Sequence, residues 1–207
     1  MEISHKKQFY IIPLLVGVVL AAIFVFQKPN EDTDNATSSM YKKPLSKFDD
    51  RQKLLTFGLF VTPNSDQNPI DPPERFVGYH TALDIETFDD EIGKDVEVKS
   101  ICEGQVVEAK TADGYGGVFI QTCQINGEDV TVLYGHLNPN TFTKKIRDTI
   151  KRGEKIALLG EENSPESGLT RKHLHLGIHK GKEIQLLGYV QSEAQLQEYI
   201  DPLPLFK

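Results

Sequence analysis

The chain is 207 residues long, 39% hydrophobic, 26% charged and 9% aromatic, with 16 Gly, 11 Pro, 2 Cys and no Trp. These proportions exclude a collagen-like repeat, a wholly disordered chain and a disulfide-dense miniprotein, and the length suits one ordinary domain with an appendage. The net charge is −7, and the residues after Gln52 hold 16 basic against 24 acidic side chains. No nucleic-acid partner is expected of so acidic a body, because affinity for phosphates comes from Lys and Arg displacing counterions.

Residues 9–26 contain 18 positions without a charge. As a helix they would span roughly 27 Å at about 1.5 Å per residue, close to the hydrocarbon thickness of a bilayer. Lys6 and Lys7 lie just before the run, so the positive-inside bias keeps residues 1–8 in the cytoplasm and sends the rest across. A cleavable signal peptide has a shorter apolar stretch, about 7 to 15 residues, closed by small residues. Here Ala21 and Ala22 sit inside the run and are followed by Ile23, Phe24, Val25 and Phe26, so a single-pass anchor in the cell membrane is expected. Residues 27–52 are polar, rich in Asn, Asp, Thr, Ser and Lys, and read as a flexible linker. The folded domain is placed at 53–207, outside the cytoplasm.

From Leu54 onward the apolar residues come in short bursts, at 83–85, 96–98, 105–108, 118–122, 130–134, 156–159 and 174–178. Many are rich in Val and Ile, and turn pairs such as Asp113-Gly114, Gly116-Gly117 and Asn126-Gly127 separate them. The expectation is an all-β domain of compact antiparallel sheets, sandwich-like. One helix is expected near the end, where Ser192 and Gln195 make a capping-box pattern ahead of Leu196, Tyr199 and Ile200, and Pro202 stops it. Cys102 and Cys123 both fall in predicted strands. An extracytoplasmic location permits them to pair, and two buried free thiols are an equal alternative.

Chemistry would lie in the histidines. His80 and Asp84 are four residues apart, on one side of either an extended segment or a helical turn, and taken alone the pair is weak support for a metal site. In His173-Leu174-His175-Leu176-Gly177-Ile178 the two imidazoles share one face of a strand and the aliphatic residues share the other. A shared cation or a division of roles makes sense of two such neighbours, and a solvated polar face is the plainer alternative. His136 follows Tyr134-Gly135 at the end of a predicted strand and, taken alone, would be structural. His179 lies roughly 13 Å along the strand from His175, at about 3.3 Å per residue, and reads as a surface residue near a turn.

Taken together, His80-x-x-x-Asp84, Tyr134-Gly135-His136-Leu137 and His173-x-His175 resemble, in order and spacing, the lysostaphin- and LytM-type zinc endopeptidases. The likeness extends over Glu103-Gly104-Gln105-Val106-Val107, over residues 151–160 and to Asp201-Pro202. It implies a β-fold with a catalytic groove, one zinc ion held by His80, Asp84 and His175, and His136 and His173 as the catalytic pair. It implies as substrate the peptide bonds of peptidoglycan stem peptides or cross-bridges. Two imidazoles and a carboxylate leave zinc one open position, the pattern of a catalytic site. The chain departs from many relatives at Ala82, where they have Gly, and at Arg171-Lys172, where they have a Gly-Pro-like pair; the latter could reshape the groove wall or add positive charge beside substrate carboxylates. Residues 57–76 have no secure counterpart, and Arg75 and Tyr79 are open to substrate contact or to packing. Two other readings compete: a noncatalytic wall-binding or hydrolase-activating module of the same fold, and a cytoplasmic sugar-phosphotransferase carrier. The second has no use for His80 and Asp84 and conflicts with the apolar N-terminal run.

Overall fold

Alternation of apolar and polar residues sets the architecture. In the computed structural model, which describes residues 40–64, 68–73 and 75–207, the chain forms β1 (Phe60–Val61), β2 (Gly78–His80), β3 (Ala82–Glu86), β4 (Glu97–Lys99), β5 (Gly104–Ala112) and β6 (Gly116–Ile125). These are followed by β7 (Glu128–Leu137), β8 (Thr149–Ile150), β9 (Lys155–Leu158), β10 (His173–Lys180) and β11 (Tyr189–Val190). All the pairings among these strands are antiparallel. The central sheet runs β3-β10-β7-β6-β5-β8, with β1-β2-β11 and β4-β9 as smaller sheets. The all-β expectation is met. The span expected at 9–26 lies outside the described residues, and among the described ones no helix is long and apolar enough to cross a membrane.

Strand parity divides the central sheet into two faces. Leu174, Leu176 and Ile178 of β10, Val130, Val132 and Tyr134 of β7, and Leu83 and Ile85 of β3 point into the main core. Val98 of β4 and Ile156 and Ala157 of β9 close that core from the far side. The opposite face carries a smaller cluster of Tyr115, Val118, Ile120 and Leu133, and beside it the alternate residues of β3 and β10 stand together. Asp84 lies directly across from His175, and Glu86 across from His173.

The linker expected through Gln52 ends earlier than the sequence suggests. Tyr41, Leu45 and Phe48 are buried in the main core, and the Phe48 ring lies 4.8 Å from that of Phe206. The fully buried Arg51 side chain holds Glu91 with two bonds of 2.6 and 2.7 Å and also donates to the Glu86 carbonyl. The carbonyls of Gln52 and Leu55 accept from the amides of Glu86 and Asp84, so this segment covers the outer edge of β3. Three apolar anchors among polar neighbours are too sparse to register as a periodic element, yet each buried aromatic contributes about 2 kcal/mol. An uncovered strand edge is also a liability that folds avoid.

The terminal helix is shorter than expected. Ser192 caps it, accepting from the Gln195 amide at 3.3 Å, but only Glu193–Leu196 is helical. Tyr199 bridges to His179, and the Ile200 amide donates to the Ile178 carbonyl, so the chain is drawn into strand pairing before Pro202. Cys102 and Cys123 form a disulfide, with Cα atoms 6.1 Å apart, which resolves the alternatives left by the sequence.

Candidate metal centre and active site

Two regular strands and two irregular points build the site. Asp84 and His175 are cross-strand neighbours at the heart of the sheet, buried to 2% and 4% exposure. His80 arrives from β2, which separates from β3 at Thr81. The Thr81 amide and hydroxyl are taken up by the carbonyls of Gly188 and Leu187, at 3.0 and 2.7 Å. His80 itself exchanges backbone bonds with Gly58 and Leu59, and it is wholly buried.

His136 is placed by a bulge. Gly117 pairs with Leu137 while Phe119 pairs with Tyr134, so β7 spends one more residue than β6 between these pairs. His136 takes a left-handed conformation there, with φ of +60°. For a non-glycine residue this costs on the order of 1–2 kcal/mol and persists only where the surroundings over-determine it. They do: its amide donates to Tyr115, its carbonyl accepts from Gly160, and its Nδ1 lies 2.8 Å from the Ser167 carbonyl. A bulge of this kind re-aims a side chain that regular alternation would send elsewhere.

Three ligand atoms face one another. His80 Nε2 is 3.3 Å from Asp84 Oδ1, His175 Nδ1 is 3.0 Å from the same oxygen, and the two nitrogens are 3.3 Å apart. A tetrahedral zinc with bonds of about 2.0–2.1 Å has ligand-to-ligand edges of about 3.3 Å, so this triangle fits one face of such a tetrahedron. Among the described residues, His80, Asp84 and His175 are the group able to hold a metal ion. The outer nitrogens have partners as well: His80 Nδ1 lies 3.4 Å from the Thr56 carbonyl and His175 Nε2 lies 3.3 Å from the Tyr115 hydroxyl.

The second pair lies alongside. The His136 and His173 rings are 4.3 Å apart, and His173 Nε2 is 3.2 Å from Asp84 Oδ2 while its Nδ1 is 3.0 Å from the Arg171 carbonyl. All five residues singled out from the sequence thus converge. His179 does not join them; it packs edge-on against Tyr199, with ring centroids 4.9 Å apart.

The electrostatics follow from burial and pairing. Burial pushes the Asp84 carboxyl up, but the facing His173 and His80, with hydrogen bonds from His173 and His175, hold it well below the usual carboxylate range. Burial lowers His175 to about 4 against the pull of Asp84, and burial with the neighbouring His173 and His175 holds His136 well below its ordinary value. His136 is therefore neutral near pH 7, with Nδ1–H donated to Ser167 and the Nε2 lone pair left available.

A cleft of about 550 Å³ opens onto these groups, lined by Asp84, Tyr115, His136, His173 and His175 on its floor and by Phe76, Leu169, Leu187 and Tyr189 on its walls. Arg75 lines it too, its guanidinium 4.9 Å from the Phe76 ring centre. Tyr79 lies elsewhere, packed on Phe60. The charges at Arg171 and Lys172 are both engaged. Arg171 donates to Asp84 Oδ2 at 2.7 Å and to both Glu86 oxygens, while the buried Lys172 ammonium bonds Glu161 and the carbonyls of Lys94 and Glu91. Four residues around the site escaped the sequence reading in any site role: Thr56, Tyr115, Glu86 and Ser167. Tyr115 lies in the glycine-rich stretch 113–117, whose composition signalled a turn and nothing about the ring inside it.

The curated relative Endolysin 2638A of Staphylococcus phage 2638A is 29% identical over 115 residues, 56% of this chain and 22% of that protein, so the chain spans about a fifth of its length. The fold is similar to that in the structure of the SpoIIQ-SpoIIIAH pore forming complex, with TM-score 0.53 and 17% identity, covering 81% of this chain and 90% of that one. The solution structure of lysostaphin is similar at TM-score 0.47 and 22% identity, over 74% of this chain and 49% of that one. The family model of Peptidase family M23 matches residues 78–186, a stretch that contains all five site residues, and the chain belongs to that family.

Proposed function

We propose that the protein is a zinc-dependent endopeptidase that hydrolyses peptide bonds in peptidoglycan stem peptides or cross-bridges. The observation that carries the reading is the triangle of His80 Nε2, Asp84 Oδ1 and His175 Nδ1, with edges of 3.0–3.3 Å, two of whose members, Asp84 and His175, line an open cleft. Those three atoms would hold the ion, which when bound supplies a Lewis acid for the scissile carbonyl and brings the pKa of a water toward about 7. His136, neutral and with Nε2 free of the Ser167 bond, is placed to accept a proton. His173 lines the same cleft with its ring 4.3 Å from that of His136, and the oxygens beside its two nitrogens, Asp84 Oδ2 and the Arg171 carbonyl, fix its orientation there as the second member of the pair. Arg171 keeps the outer oxygen of Asp84 occupied and leaves Oδ1 to the triangle.

Membership of the peptidase family and the likeness to a phage endolysin support peptidoglycan as the substrate. The disulfide supports an oxidising, extracytoplasmic location, consistent with residues 9–26 as a membrane anchor. The test is digestion of purified peptidoglycans of different cross-bridge types by the zinc-loaded chain, with and without chelator, and identification of fragments by mass. New amine and carboxyl termini that vanish with chelator are expected. Unchanged peptides across all wall types would leave a noncatalytic wall-binding or hydrolase-activating module of the same fold.

A further inference from the structure

We propose that Tyr115 is a positioning residue for this site, its hydroxyl fixing the ring of His175 so that Nδ1 faces the metal position. The inference rests on the metal reading above and concerns a residue outside the five already assigned.

Tyr115 reaches the site through space that two glycines vacate. A Cβ on Gly135 would lie 2.6 Å from the Tyr115 ring, and one on Gly188 would lie 2.8 Å from its hydroxyl. Gly135 stands opposite His175 in the β7–β10 pairing, and Gly188 directly precedes β11. Neither position could keep a side chain with the phenol in place. The ring is buried to 8% exposure and lies 5.2 Å from the ring of His175 and 5.4 Å from that of His136.

Its hydroxyl and its carbonyl are directed at the same two histidines. The hydroxyl lies 3.3 Å from His175 Nε2, and the Tyr115 carbonyl accepts from the His136 amide at 3.1 Å. An imidazole that binds a metal through Nδ1 must carry its proton on Nε2, and in the dry interior that proton needs an acceptor. The Tyr115 oxygen supplies one. Such outer partners fix both the tautomer and the ring orientation of a ligand, and their loss commonly weakens metal binding about 10- to 100-fold. One residue thereby sets the ring of His175 through its hydroxyl and the backbone of His136 through its carbonyl.

The test compares zinc affinity, by competition with a chromophoric chelator, in the wild-type chain, Tyr115→Phe and Tyr134→Phe. Tyr134 is the control: it is also a fully buried phenol, but its hydroxyl accepts from the Ile101 amide in the main core. The expected result is a zinc Kd raised about 10- to 100-fold by Tyr115→Phe and left within threefold by Tyr134→Phe. A Tyr115→Phe Kd within threefold of wild type overturns the inference, as does equal weakening in both variants, which would trace the loss to stability. Wild-type protein that binds no zinc overturns the reading of the site itself, and this inference with it. Should Tyr115→Phe not fold, long-range nitrogen NMR of the zinc-loaded wild type decides. A His175 ring protonated at Nε2 with a slowly exchanging proton is expected, and a proton exchanging as fast as in an exposed imidazole refutes the role.

Discussion

Replacing Asp84 by Asn tests the centre of the site at nearly constant shape. The carboxylate is 2% exposed and meets His80 and His175 through Oδ1, and His173 and Arg171 through Oδ2. Removing one partner of a buried charge pair commonly costs about 3–5 kcal/mol. Arg171 retains two bonds of 3.0 Å to Glu86, so the lower end, about 3 kcal/mol, is expected for the metal-free protein. For a folded domain of about 150–250 residues that is a fall of roughly 6–12 °C in Tm. Zinc should then separate ligand from scaffold. At a thousandfold excess over its Kd, zinc would stabilise the wild type by about 4 kcal/mol. If loss of the anionic ligand raises Kd about 100-fold, the same zinc concentration is only a tenfold excess, and stabilisation drops to about 1.4 kcal/mol. Calorimetric scans of both proteins, stripped and zinc-loaded, read all four states. A zinc-induced rise as large in Asp84→Asn as in the wild type would refute the assignment of Asp84 Oδ1 to the metal.

Acid should weaken the metal-free fold in a defined window. His175 is held at about 4 and His136 well below 6.5, so the unfolded chain takes up protons first, and stability is complete above about pH 6.5 and declines toward pH 4. His175 alone accounts for a loss on the order of 3 kcal/mol. Asp84, held well below 3.8, keeps its full contribution above about pH 3.8, the unfolded value, and loses it progressively as the pH falls from there through its own folded pKa. Urea midpoints at pH 7.5, 5.5 and 4.5 that do not change would contradict this. Removing the disulfide by Cys102→Ser with Cys123→Ser should cost about 3 kcal/mol, the chain-entropy expectation for a separation of 21 residues, and an unshifted midpoint in denaturant would speak against it. Phe48→Ala should cost about 3 kcal/mol by emptying the contact with Phe206, whereas a loss below about 0.5 kcal/mol would restore residues 40–52 to the linker.

Regular alternation made part of the site legible in the sequence. In 173–178 the polar and aliphatic residues sort onto opposite faces, and the structure buries Leu174, Leu176 and Ile178 in the core while His173 and His175 face the cleft. Roles that depend on distant partners were not legible there. Burial of Tyr41, Leu45, Phe48 and Arg51 needs partners far along the chain, among them Glu91 and Phe206, and no local pattern announces them. The one-turn helix failed for a related reason, since strand pairing at Ile178 and His179 outbid a valid cap at Ser192. Arg171 was legible as a departure but not in its effect, because nothing in the sequence shows that Asp84 and Glu86 will meet its guanidinium.

The site joins two kinds of structure with different consequences. Asp84, His173 and His175 belong to regular strands, where register fixes each position and the aliphatic residues between them anchor the strand in the core. His80 and His136 depend on interruptions: the separation of β2 from β3 at Thr81 and the bulge at Gly135–His136. Each interruption is held by backbone groups of otherwise unremarkable segments, Thr56, Leu59 and Gly188 around His80, and Tyr115, Gly160 and Ser167 around His136. A regular sheet would turn some of the five side chains away from the cleft. The irregular points, and the loops that satisfy their hydrogen bonds, therefore decide whether the three candidate ligand atoms and the neutral His136 imidazole face the same space.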